Sequence, residues 1–248
     1  MEFNIKRIGY AIRKDVTILR NAGVTALAVA GGILFIGLFF MTRGDDYLSA
    51  DEFMGLFGLC YIVLGVFFSF AILRESHNVK SNHLYFALPI SPLERLTAIW
   101  LTTTLIHTLI FTVMALLVGQ LAIVAGGIIF GSGFHWVSLF SDGYVKLIKG
   151  YFIIQPIFFC GAMTFSKNGI GKTLLTLLLI FIGILFYGLL LFSVLNHSYG
   201  VYPGDLIADE AFGKASTDFS GLGSWFFTFL FGPVMLLATY FKLVEKEV

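Results

Sequence analysis

Of the 248 residues, 58% are hydrophobic and only 12% charged; the net charge is +1 and the mean hydropathy +0.90. A soluble domain is about a quarter charged, so this chain lacks the polar residues to cover a globule, and a soluble enzyme is excluded. The near-neutral balance provides no global field for nucleic acid. Both cysteines, Cys60 and Cys160, fall inside apolar runs and read as buried thiols rather than a disulfide.

The first elements are two in one. Ile5, Ile8, Ile12, Val16 and Leu19 recur every three or four residues with Lys6, Arg7, Arg13 and Lys14 between them. This pattern predicts an interfacial amphipathic helix over residues 1–22. A plain basic anchor at the membrane is the compatible alternative. No compact apolar core precedes a small-residue cleavage site, so this is not a signal peptide.

Crossing about 30 Å of hydrocarbon takes roughly 20 apolar residues. Six segments qualify: Val24–Met41, Phe53–Leu73, Thr97 to about Val124, Leu147–Phe165, Leu174–Leu195 and Trp225–Phe241. The fourth is interrupted by Gln155 and Pro156. The third, if continued to Phe130, is too long, so a break near Gly126–Gly127 or a projection from the membrane is expected.

Lys and Arg in the short loops set the orientation. One side carries Lys6, Arg7, Arg13, Lys14, Arg20, Arg74, Lys80, Arg95, Lys167, Lys172, Lys242 and Lys246. The other carries only Arg43, Lys146, Lys149 and Lys214, with acidic clusters at Asp45–Asp46, Asp51–Glu52 and Asp209–Glu210. The expectation is an all-α integral membrane protein, one domain over residues 1–248, with both termini cytoplasmic. The aromatic-rich segment 131–150 and the loop 196–223 then face outward.

Several motifs are false leads. Asn168-Gly-Ile-Gly-Lys-Thr173 ends like a phosphate-binding loop, but the required upstream glycine position holds Ser166 and no strand precedes it. It reads as a tight basic turn. Gly131-Ser-Gly133 lies at a membrane edge without a partner base, and His77 and His83 have no further ligand at metal spacing. No catalytic residue, metal or cofactor site follows. Within the spans, His107, Gln120 and Gln155 are the polar residues; they read as interhelical hydrogen-bond partners or as lining a pathway. Coupled carriers usually hold carboxylates near the midplane. None is present, so energy for transport would enter from outside the membrane.

The loop 74–95 is the most structured. In Ser91-Pro92-Leu93-Glu94, Ser91 can cap the Glu94 N–H, Glu94 can reach back to the Ser91 N–H, and Pro92 fits the first helical position. Pro89 disfavours helix at Leu88. The prediction is a short surface helix, a corner, then a long helix into the membrane.

The Leu88-Pro89-Ile90-Ser91 run after span two, followed by Glu94 and Arg95, together with the amphipathic N-terminus and six spans, resembles the ABC-2-type permease subunits of bacterial ATP-binding cassette transporters. The resemblance covers the whole chain in topology and about fifteen residues in motif. It implies two permease subunits, identical or related, in the bacterial inner membrane, paired with two cytoplasmic ATPase subunits that carry ATP and magnesium. The ATPase-coupling residues it implies are Tyr85, Phe86, Leu88, Pro89, Ile90, Ser91, Glu94 and Arg95, with the N-terminal helix, including Arg13 and Lys14, alongside. The residues themselves leave a second reading, a membrane scaffold that recruits a cytoplasmic partner without moving a substrate.

Overall fold

The computed structural model describes residues 3–43, 50–74, 89–131, 141–197 and 225–247. Almost all of these are helical and none is in a strand. The helices are α1 (Ile5–Met41), α2 (Ala50–Leu73), α3 (Pro92–Phe130), α4 (Asp142–Thr164), α5 (Gly169–Asn196) and α6 (225–247). Five of them, α1 to α5, are long and apolar enough to cross a membrane, which describes a multi-pass membrane protein. The sixth expected span falls in α6, which opens with a π-helical turn at Phe227–Phe231 and is not one of those five.

The first four helices start on readable local signals. The Asn4 side chain accepts from the Lys6 N–H at the head of α1. Asp51 and Glu52 complement the positive end of the α2 dipole. Ser91 and Pro92 begin α3, and the Ser141 hydroxyl accepts from the Tyr144 N–H to cap α4. The tail of α6 carries an exposed Lys242–Glu245 pair at 2.7 Å.

Two expectations need correction. Residues 5–22 are not a separate element, because α1 runs unbroken for 37 residues, about 55 Å at 1.5 Å per residue. Ile8, Ala11 and Asp15 on its first half are buried. Ile8 and Ala11 form a small core with Ala98, so protein covers part of the apolar stripe, while Ile5 and Val16 stay exposed. Nor does α3 break at Gly126–Gly127, which leaves the other expectation, a projection from the membrane. It continues to Phe130 and stops at Gly131, whose φ of 75° is the left-handed cap that favours glycine. Gly126 is small because Thr42 of α1 occupies the space of its missing Cβ.

The packing fixes the register. α1 and α3 are parallel, in contact from Asn4 and Glu94 at one end, through Gly31 and Met114, to Thr42 and Gly126 at the other. α2 and α4 are also parallel, with Gly58 against Leu147, Gly65 against Tyr151 and Ser69 bonded to Gln155. α2 runs antiparallel to α1, pairing Phe68 with Gly23 and Leu56 with Gly37. Small residues receive large ones throughout, the usual means of close approach between helices in lipid. The core they enclose centres on Leu34, Leu38, Phe53, Phe57, Tyr61 and Phe111, all essentially without exposed surface.

Charges segregate along this bundle. Arg7, Arg13, Lys14, Arg20, Arg74, Lys167, Lys172 and Lys242 outnumber Asp15, Glu94 and Glu245 toward one end, and Asp51, Glu52 and Asp142 lie toward the other with Arg43. These are called the basic and acidic ends below.

Candidate functional site

At the basic end, Glu94 joins two helix starts. Its carboxylate accepts the Ser91 N–H at 2.9 Å, while the Ser91 hydroxyl accepts the Glu94 N–H at 3.2 Å. This is the capping box read from the sequence. The same carboxylate also accepts the Asn4 N–H at 2.6 Å, and the Arg7 guanidinium lies 3.9 Å away. One side chain therefore holds the N-termini of α1 and α3, where two helix dipoles favour its negative charge. Glu94 has no exposed surface. The Ser91 N–H holds its carboxyl below the usual range, helped by the Asn4 N–H and Arg7 and opposed by burial. A 39-residue helix exceeds the hydrocarbon thickness, and the sequence begins the span at Thr97, after this first turn.

Of the other residues expected in the coupling loop, Arg95 is buried, Ile90 and Ser91 are half-buried, and Pro89 is exposed. Tyr85, Phe86 and Leu88 lie outside the described residues. Arg13 is exposed and Lys14 half-buried on α1, on the stretch that packs along the start of α3.

A second polar cluster lies deeper, where α3 widens into a π-helical turn at Thr102–Ile106. Such a turn disturbs the regular backbone ladder and recurs at functional sites. The Tyr151 hydroxyl donates to the Thr103 carbonyl at 3.0 Å. The Gln155 amide donates to the Thr103 hydroxyl at 2.5 Å and to the Ser69 hydroxyl at 3.5 Å. Thr102 and Thr103 return their own protons to Ala98 and Ile99 carbonyls one turn back. His107 stacks on Tyr61 with centroids 5.0 Å apart, and its Nε2 lies 3.2 Å from the Tyr61 carbonyl. A carbonyl can only accept, so Nε2 carries the proton and Nδ1 is a buried acceptor with no partner among the described residues. A cavity of about 290 Å³ opens beside this cluster between α1 and α3, lined by Arg20, Gly23, Phe68, Thr103 and His107 among others.

Thus the structure brings together His107 and Gln155, but not Gln120. Gln120 is half-buried thirteen residues beyond His107, about 20 Å along the helix axis. The sequence missed the threonines, whose role depends on the π turn, and Tyr151. It also placed Lys146 and Lys149 in a loop; they lie within α4. The Gly-Lys-Thr of the phosphate-loop lookalike has a packing role at its end, where Thr173 fills the space beside Gly161 of α4. Among the described residues, no three His, Cys, Asp or Glu side chains gather as a metal site. Comparison with protein-family models, curated proteins and solved structures finds no match.

Proposed function

We propose that this chain is the membrane-spanning permease subunit of an ATP-driven exporter in a bacterial cytoplasmic membrane, with its basic end and both termini in the cytoplasm. In this reading a separate ATPase, carrying ATP and magnesium, docks on the loop before α3. A second permease subunit, the same chain or a related one, completes the translocation path within the lipid. α6 serves as the sixth span.

The observation that carries the reading is Glu94. A partner pushing on the corner at Pro89 meets not one helix but two, because Glu94 fastens the start of α1 to the start of α3. These helices then run side by side over their whole lengths, so displacement at the loop becomes displacement of a helix pair. The second reading, a scaffold that recruits a cytoplasmic partner without moving a substrate, uses the same junction.

The test is Leu88→Asp and Pro89→Gly in the complex reconstituted with its ATPase. Both variants should insert normally yet uncouple ATP hydrolysis from transport. Normal transport in both would sink the coupling role. ATP hydrolysis indifferent to any added substrate, in an otherwise intact complex, would favour the scaffold.

A further inference from the structure

The charges on α4 sit where lipid should be. α2 measures the depth: between Glu52 and Arg74 it holds no charged residue, and it is one of the helices fit to span. α4 lies parallel to it, with Leu147 level with Gly58 and Tyr151 level with Gly65. Lys149 is therefore level with residues 61–62 of α2, close to its midpoint and about 14 Å from the level of Glu52. Lys146 is one turn nearer the acidic end. Asp142, Val145, Lys146 and Lys149 recur every three or four residues and are all exposed, which makes them one face. Among the described residues neither lysine has an ion-pair partner.

A lysine facing lipid at this depth is costly; ionisable groups inside membranes face bundle interiors or water-filled cavities. Two features argue for water here. The side chains of α4 lean toward its N-terminus, which is the acidic end, so Lys149 leans toward the side from which water would enter. The face also bears two cations a turn apart and only one acid, at its rim, so its deep part is positive. At the level of Lys149, Leu59 and Val63 on the outer face of α2 are apolar and exposed, as a lipid-facing surface should be.

We infer that the Asp142–Lys149 face of α4 walls a water-filled vestibule, entered from the acidic end, in which Lys146 and Lys149 receive an anionic group. That this anion belongs to the cargo rests on the transport reading above; the vestibule and its charge preference do not. The chemistry recognised is a carboxylate, phosphate or sulfonate, held by paired ammonium groups.

The experiment needs neither ATPase nor cargo. In full-length protein in its membrane, with Cys60→Ala and Cys160→Ala, a single cysteine is placed at Val145→Cys, or at Leu59→Cys, close to the same level, as the lipid-facing control. Each is treated with a membrane-impermeant methanethiosulfonate reagent bearing either a sulfonate or a trimethylammonium group, with rates normalised to those for a free thiol. Val145→Cys should react, and faster with the sulfonate. Adding Lys149→Gln should reduce that preference by about threefold or more, whereas Leu59→Cys should stay unreactive. No reaction at Val145→Cys means lysines snorkelling into lipid and overturns the inference. Equal reaction at Leu59→Cys places this level outside the membrane and overturns it too. Reaction at Val145→Cys without charge preference removes the anion site. Failure of the coupling variants would leave these rates unchanged, so the two readings fail separately.

Discussion

α3 and α5 look alike as sequences, each a long apolar helix with a run of residues suited to hydrocarbon, but the bundle treats them differently. α3 is pinned at its start by Ser91 and Glu94, in its middle by Thr103 and His107, and near its end by Gly126 against Thr42. α5 meets the bundle chiefly through α4, and residues from Leu174 to Val194 stand exposed around the whole helix. Hydrophobicity alone makes a helix fit for the membrane. What commits it to neighbours is the placement of glycine, threonine and capping residues. Helix α3 has these at each level, whereas Gly183 and Gly188 of α5 have no atoms near their missing Cβ positions.

The contrast can be broken from its strongest side first. Gly126→Leu forces a side chain into the space of Thr42 and should destabilise the protein by about 1–3 kcal/mol, seen as a fall in detergent-solubilised melting temperature. A wild-type melting curve for this variant would show that the α1–α3 contact is not tight. Ser91→Ala removes one half of the capping box and should lower stability by about 1 kcal/mol in the same assay.

Acid tests the other half. Since the folded state holds the Glu94 carboxyl below its ordinary value, its contribution is complete above the ordinary carboxylate range and fades as the pH falls through the lowered value. Melting temperature should therefore drop more steeply below about pH 4 in the wild type than in Glu94→Gln. Parallel curves for the two proteins would mean the carboxylate does not hold the junction. Gln155→Leu, which strips two interhelical hydrogen bonds, to Thr103 of the π turn and to Ser69 of α2, should cost about 0.6 kcal/mol per bond, the average in membrane bundles. Smallest of all, Gly183→Ala in α5 should leave the melting temperature unchanged or slightly raised, as open space and helix propensity both favour alanine. A clear loss there would reveal a contact on α5.

How much of this was legible follows from the range of each interaction. The capping box was readable because Ser91 and Glu94 are three residues apart and their geometry is local. That Glu94 also holds Asn4, ninety positions away, left no local trace. The 3.6-residue stripe from Ile5 to Leu19 was plain, but periodicity says only that a face is covered, and here α3 covers part of it rather than lipid alone. Lys146 and Lys149 were misplaced because the outward loop was drawn to residue 150, whereas Ser141 caps a helix that already starts at Asp142. Gln155 and His107 stood out as polar residues among apolar ones, yet the π turn that gives Gln155 its partner depends on threonines no pattern singled out.

The coupling account is tested most directly by purifying the chain from its native membrane together with whatever binds the loop before α3. The account predicts that a cytoplasmic ATPase co-purifies in equal number, that the complex hydrolyses ATP, and that Leu88→Asp loses the ATPase while the membrane protein remains folded. A chain that purifies without any ATP-hydrolysing partner, or a Leu88→Asp variant that keeps it undiminished, would contradict the account.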